Sequence, residues 1–276
     1  MKLTPAFYEA LINEVRQIAR EEIMPRFRNL ETTQIDSKTA PDDLVTIADK
    51  RSEERLTEAV GRLLPSAAVV GEEAVSDDPS RLSLIDREDI CVIVDPVDGT
   101  WNYANGLATF GVIIAVTYKG ETVFGLLYDP VLDDWICAEK GAGSRFQTAA
   151  GHTRKISSLE GPGLLTGMVP LYLLSPDQRL AVGARLSEFN RLNSLRCSCH
   201  EYRLVSQGRI GFCLAANLKP WDHAAGALIV EEAGGAAQLI TGERYRPTMS
   251  EGMLLTAASP QMMEDALSRL RPALQV

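Results

Sequence analysis

A mixed α/β fold of the α+β kind is what this sequence predicts, and three patterns predict it. An apolar stripe at helical spacing opens the chain, strand-like runs separated by turns fill residues 110–138, and helices alternate with strands from residue 151 onward. The change of pattern divides the chain into an N-terminal half, 1–150, and a C-terminal half, 151–276.

Residues 5–30 predict an amphipathic helix, with Thr4 as N-cap, Pro5 at the first helical position and Phe7, Leu11, Val15 and Ile18 on one stripe. Pro25 should end or kink it. The polar segment 31–42 has no usable period and reads as a mobile connection or a hairpin. Residues 44–47 are extended, and a second helix begins at Asp49, carries Leu56, Val60, Leu63 and Leu64, and stops at Pro65. A short strand at 67–70 delivers Glu72, and a charged connection, 77–88, leads to the apolar strand Ile90-Cys91-Val92-Ile93-Val94. Strands at 110–118, 123–128 and 135–138 form an antiparallel meander closed by Gly141-Ala142-Gly143. The second half reads as helices at 178–189, 201–207 and 224–233, a strand at 210–214, strands at 236–240 and 253–257, and a terminal helix from Pro260.

Composition bounds the function. With 276 residues, 45% hydrophobic and 24% charged, the chain has the makeup of a soluble globular protein. Its N-terminal residues lack the apolar core of a signal peptide, and no window is apolar enough to span a membrane, so a cytoplasmic location without a membrane partner is expected. Five thinly spread cysteines fit a reducing compartment. The net charge of −9 argues against direct nucleic-acid contact, which needs clustered Lys and Arg.

The chemistry centres on Val94-Asp95-Pro96-Val97-Asp98-Gly99-Thr100-Trp101-Asn102. Two aspartates follow an apolar strand, with Pro96 stiffening the backbone and Gly99 permitting a sharp turn. Two carboxylates about 4 Å apart repel by roughly 1 to 4 kcal/mol, and a hard divalent cation removes that conflict. Read alone, the pair is also compatible with two successive turns.

The stretch Asp95-Pro-Val-Asp-Gly-Thr-Trp-Asn-Tyr103 resembles the D-P-[IVL]-D-G-T-x-N-[FY] motif of the inositol monophosphatase family, the magnesium-dependent, lithium-sensitive phosphatases. Further matches follow the family order: Asp43-Leu-Val-Thr-Ile-Ala-Asp49, Gly71-Glu72-Glu73, and Trp221-Asp222-His-Ala-Ala-Gly226 running into Glu231-Glu-Ala-Gly-Gly235. The resemblance implies a layered αβαβα sandwich, shared with fructose-1,6-bisphosphatases, and a homodimer. It also implies a phosphomonoesterase acting on a small phosphorylated metabolite.

By the same resemblance, Glu72, Asp95, the Val97 carbonyl, Asp98 and Asp222 hold two or three Mg2+ ions, and Glu73 stays solvated. Asp49 and Thr100, with Glu72, serve catalysis by orienting the attacking water. Asp98, Gly99, Thr100, Arg196 and Asp222 meet the substrate. Taken alone, Asp49 would be a dipole-favoured residue of a helix start and Asp222 an N-cap. The segment 31–42 would fold over the site.

One stretch departs from the family. Where inositol-processing members commonly carry Gly-[Ser/Thr]-Ala, this chain has Arg196-Cys197-Ser198-Cys199, and Leu214-Ala-Ala-Asn217 lacks the acid that contacts sugar hydroxyls. Arg196 and Arg203 are candidates for a second anionic group on the substrate, or else surface arginines. His223 is expected to be structural and His152 exposed, and Cys197-Ser-Cys199-His200 only superficially suggests a soft-metal site. The alternatives are fructose 1,6-bisphosphate, 3'-phosphoadenosine 5'-phosphate or histidinol phosphate as substrate, or a non-catalytic regulatory protein on the same fold.

Overall fold

The computed structural model describes residues 3–38 and 40–274. Helix α1, Pro5–Ile18, starts where Thr4 accepts the Phe7 N–H, and it buries Phe7, Tyr8, Leu11, Ile12, Val15 and Ile18. The helical period does not run to residue 30 as a single helix. It loosens into a π turn over Ala19–Ile23 and a 3-10 turn over Met24–Arg26, because Pro25 has no N–H to continue the ladder.

Of the two readings of the next segment, the hairpin is the one formed: β1, Ile35–Ser37, pairs antiparallel with β2, Leu44–Thr46. Thr39, within that predicted connection, lies outside the described residues. Helix α2 spans Ile47–Leu63, so it starts two residues before the expected Asp49. Thr46 and Asp49 form a reciprocal capping box at its start.

Strand β3, Ala68–Gly71, runs into the short helix α3, Glu72–Asp77, and the connection beyond it holds α4, Leu84–Arg87. Strand β4, Ile90–Asp98, is four residues longer than its apolar run, so Asp95 and Asp98 lie within the strand rather than past its end. Its pairing slips between those two aspartates, where Pro96 cannot donate to a ladder. Helix α5, Thr100–Ala104, follows the left-handed Gly99.

The meander is β5, Gly111–Tyr118, β6, Glu121–Asp129, and β7, Asp134–Glu139. It continues past the expected closing turn into β8, Gly143–Thr148, and β9, Thr153–Lys155. The described residues thus form a seven-stranded sheet in the order β3-β4-β5-β6-β7-β8-β9, parallel only between β3 and β4.

The second half opens with β10, Thr166–Met168, then α6, Pro176–Gly183, and β11, Arg191–Asn193. The predicted helix 178–189 is therefore a two-turn helix followed by a separate 3-10 turn. Next come α7, Ser198–Ser206, β12, Phe212–Ala215, and α8, Pro220–Glu232. Strands β13, Ala236–Leu239, and β14, Leu254–Ala257, precede α9, Pro260–Leu274. The second sheet has the order β11-β10-β12-β14-β13.

Packing arranges these elements in five layers. Helices α1 and α2 cover one face of the large sheet through Leu11, Val15, Leu56 and Val60 against Val92, Val94 and Ile114. Helices α7 and α8 fill the space between the sheets, with Tyr202, Ala225 and Ile229 against Ile113, Leu127 and Ile136. Helices α6 and α9 close the outer face of the five-stranded sheet through Val182, Met263 and Leu267 against Phe212 and Leu255. Helix α8 is buried on nearly every side, as a middle layer must be. It meets β6 so closely that a Cβ on Gly125 would lie 2.8 Å from Ala225 O.

Candidate active site

The parallel pairing of β3 with β4 sets Gly71 opposite Val94, so Glu72, the first residue past β3, comes beside Asp95 within β4. The N-terminal turns of α5, α7 and α8 arrive at the same place. Together they border a cleft of about 450 Å3 lined by Glu72, Asp95, Asp98, Thr100, Arg196 and Asp222, among others.

Asp95, Asp98 and Asp222 each offer an oxygen within 4.8 Å of the others, although they are separated by up to 127 residues in sequence (222 − 95). Asp95 and Asp98 are almost fully buried. Burial pushes the Asp95 carboxyl well above the usual range, and Glu72, Asp98 and Asp222 push it further. Burial, followed by Asp222, raises Asp98 to about 7. Asp95 Oδ1 is buried and has no hydrogen-bond partner. An orphaned carboxylate oxygen facing two more carboxylates is the donor set of a hard divalent cation, and magnesium fits it.

The cluster is held from behind. Asp98 accepts the Ser198 N–H at 3.1 Å and the Cys199 N–H at the start of α7, and the Cys197 thiol donates to its Oδ2 at 3.0 Å. Gly99 sits at φ 84°, and a Cβ there would meet Thr109 O at 2.9 Å, so the turn after Asp98 requires glycine. Glu53 on α2 accepts the Glu73 N–H at 2.8 Å and the Ala74 N–H at 2.7 Å, which fixes the first turn of α3 and with it Glu72.

Next to the carboxylates, Thr100 Oγ1 lies 3.0 Å from Asp49 Oδ1 and 2.9 Å from the Val97 carbonyl. The other Asp49 oxygen accepts the Thr46 N–H at 2.8 Å and the Thr46 hydroxyl at 2.6 Å. Burial raises Asp49 to about 6, which the two Thr46 hydrogen bonds partly oppose.

The sequence profile of the inositol monophosphatase family matches residues 5–275. The chain belongs to that family. Among the relatives it resembles is the Nus factor SuhB of Pasteurella multocida, 30% identical over 243 residues that cover 84% of each chain. Another is the inositol-1-monophosphatase of Bacillus subtilis, 28% identical over 84% of this chain and 85% of the relative. A third is the fructose-1,6-bisphosphatase/inositol-1-monophosphatase of Thermotoga maritima, 28% identical over 76% of each. In fold the chain is similar to the Thermotoga maritima IMPase, with a TM-score of 0.80 at 21% identity, covering 97% of this chain and 98% of that one. It is similar also to inositol monophosphatase II of Staphylococcus aureus, with a TM-score of 0.76 at 22% identity, covering 97% and 93%. The layered αβαβα architecture is therefore the inositol monophosphatase fold. No described helix is long and apolar enough to cross a membrane.

Inositol monophosphatase motif residues do not all sit as the sequence suggested. Glu72 lines the cleft, but its Oε1 accepts from Lys38 Nζ at 3.0 Å, and it stands outside the tight trio of aspartates. Glu73 is not solvated: it is mostly buried, bonds Lys38 at 2.8 Å, and burial followed by Glu72 raises it to about 7. Asp222 is in the first turn of α8, where Lys219 and not Asp222 holds the N-cap position.

Arg203 is not a surface residue and does not line the cleft. It is buried, pairs with Asp134 and donates to the Leu127 carbonyl at 2.9 Å. The five cysteines are buried and free, His200 Nε2 bonds the Phe110 carbonyl at 3.0 Å, and His223 bridges the Asn217 carbonyl and the Tyr202 hydroxyl. Both histidines therefore have structural partners. Arg196, at φ 53°, carries a left-handed backbone that costs a non-glycine residue about 1 kcal/mol.

Sequence reasoning passed over Glu53, Lys38 and the ring pair Trp101 and Tyr172. Only Trp101 stood inside a recognised motif, and no periodicity marks the others.

Proposed function

We propose that this chain is a magnesium-dependent phosphomonoesterase that hydrolyses a small phosphorylated metabolite. The observation that carries the reading is the trio Asp95, Asp98 and Asp222 within 4.8 Å, with Asp95 Oδ1 orphaned, beside the Thr100–Asp49 hydrogen bond. Asp95, Asp98 and Asp222, with Glu72 and the Val97 carbonyl, would hold two or three ions. Bound magnesium would supply positive charge against the phosphate and the developing alkoxide.

The chain's own residues then place the nucleophile. The Thr100 hydroxyl donates its hydrogen bond to Asp49, so Oγ1 can accept a hydrogen bond from water and take the water's proton as its own passes to Asp49. Asp49, tied by Thr46 through its second oxygen, receives the proton as the attack proceeds. Both steps occur in a largely dry wall, where oriented groups act more strongly than in water. Gly99 and Thr100 line the cleft where the phosphate would lie.

The test is magnesium-dependent release of inorganic phosphate from p-nitrophenyl phosphate and from a panel of phosphorylated metabolites that includes inositol phosphates, fructose 1,6-bisphosphate, 3'-phosphoadenosine 5'-phosphate and histidinol phosphate. No turnover of any ester, with metal present and the protein folded, would overturn the reading. Inhibition by lithium, a homodimer and a cytoplasmic location belong to the same proposal through kinship alone.

A second reading is a regulatory binding protein, favoured by the relatives named Nus factor SuhB, one of them 30% identical. The net charge of −9 disfavours direct nucleic-acid contact and makes a protein partner the better expectation under that reading.

A further inference from the structure

The cleft beside the carboxylates has a lining that mixes apolar and charged groups. Ala215, Ala216 and Asn217 line it, and Pro170, Tyr172 and Leu173 face it from the segment after β10. These stretches carry no carboxylate, and besides Lys219 the lining holds one further cation.

That cation is Arg196. Its guanidinium carbon lies 4.6 Å from the centre of the Trp101 ring and 4.8 Å from that of Tyr172, so two aromatic faces hold one planar group. Its backbone is pinned to the metal-site loop: a Cβ on Gly99 would meet Arg196 O at 3.3 Å, and Asn102 Nδ2 donates to Leu195 O at 2.8 Å. The backbone from which the side chain springs is thereby fixed beside Asp98, with which its neighbours Cys197, Ser198 and Cys199 make hydrogen bonds.

The ionic partner of Arg196 is Asp42, at 3.2 Å, and the Asp42 side chain is 58% exposed. Such an exposed pair contributes little and is readily exchanged for a better-placed anion. The planar fork of an arginine suits phosphate and carboxylate equally.

We infer that Arg196 is a specificity-determining residue that binds a second anionic group, phosphate or carboxylate, on the substrate, so that this enzyme acts on phosphomonoesters bearing a further negative charge rather than on phosphates of neutral polyols. The inference rests on the phosphatase reading above.

Two matched pairs of esters test it: 2-phosphoglycerate against glycerol 2-phosphate for a carboxylate, and 1,3-propanediol bisphosphate against 3-hydroxypropyl phosphate for a phosphate. The enzyme as it stands should prefer the member with the second anion in at least one pair by about tenfold in kcat/KM, mainly through KM. Whichever pair shows it identifies the anion. Arg196→Gly removes the guanidinium and relieves the left-handed φ, so folding is not compromised, and it should erase the preference; Arg196→Lys should keep part of it. Equal use of both members of both pairs, or a preference that survives Arg196→Gly, overturns the inference. Calorimetric titration of the same four esters with calcium in place of magnesium reads Arg196 without turnover. Loss of preferential binding in Arg196→Gly supports the inference there, and equal affinities overturn it. A failure to hydrolyse any ester would instead sink the phosphatase reading.

Discussion

Thr100 and Asp49, 51 residues apart in sequence, share a 3.0 Å hydrogen bond at the meeting point of α5 and α2. The same Asp49 carboxylate closes the capping box of α2, so one side chain both starts a helix and bonds Thr100, which lines the cleft. Its second oxygen is spoken for by Thr46, which leaves Oδ1 and the Thr100 hydroxyl as the pair that can move a proton. Asp49→Asn and Thr100→Val should each lower kcat about a hundredfold or more, with KM little changed, because general-base groups act in the transition state. Steady-state kinetics check this; a Thr100→Val enzyme with full kcat would remove Thr100 from the mechanism.

The raised carboxyls predict how stability follows pH. Asp49 stands at about 6, and Asp98 and Glu53 at about 7, all pushed up chiefly by burial. A folded state that holds these protons more tightly than the unfolded chain is favoured at low pH. Their stabilising contribution is complete below the unfolded values near pH 4 and is lost as pH rises through about 6 to 7. With chelator present, this contribution should make Tm fall between about pH 5 and pH 7.5, and magnesium should raise Tm more at the upper end. Calorimetry at fixed ionic strength reads both; equal magnesium stabilisation at the two pH values would contradict the assignment of Asp98 to a cation site.

Gly71 carries a packing constraint invisible in its motif. A Cβ there would lie 2.2 Å from Glu53 Cδ, so glycine is what lets the Glu53 carboxylate reach the first N–H groups of α3. Gly71→Ala should destabilise the protein by about 1 to 3 kcal/mol and disturb Glu72 at the same time. Urea unfolding and magnesium titration together test it, and the two effects should appear in the same variant.

These cases show what the sequence could and could not carry. Asp95 and Asp98 were legible because two acids, a proline and a glycine after an apolar run are chemically unusual, and Asp222 because its motif is specific. Glu53 was not, since it stands in the charged run Arg51-Ser52-Glu53-Glu54-Arg55, and only the tertiary approach of α3 buries it. Strands β10 and β11 have three residues each, too few for an alternation to register. The layers were implied by resemblance rather than by period, because the nearly all-apolar α8 has no polar stripe to orient it.

Arg203 separates a structural cation from a binding one. It is buried against Asp134 and the Leu127 carbonyl, on the sheet side of α7 and away from the cleft lining. Arg203→Met leaves Asp134 buried without its partner and should cost about 3 to 5 kcal/mol of stability. At a temperature where the variant is folded its KM should equal that of the parent; a KM rise without loss of stability would return Arg203 to the substrate.

Asp95 is where function and stability are set against each other. Its carboxyl is nearly fully buried, unpartnered at Oδ1, and pushed up by burial and by Glu72, Asp98 and Asp222. Without a cation, an ionised Asp95 therefore works against the fold, whereas with one it is the centre of the site. Asp95→Asn keeps the shape and deletes the charge. It should raise Tm in chelator at neutral pH, abolish the further rise that magnesium gives the parent, and reduce phosphatase activity to background. The signs oppose one another, so a mere folding defect cannot imitate the result. An Asp95→Asn protein that is less stable than the parent in chelator, or still active with magnesium, would show that the aspartates are not gathered there to hold a metal.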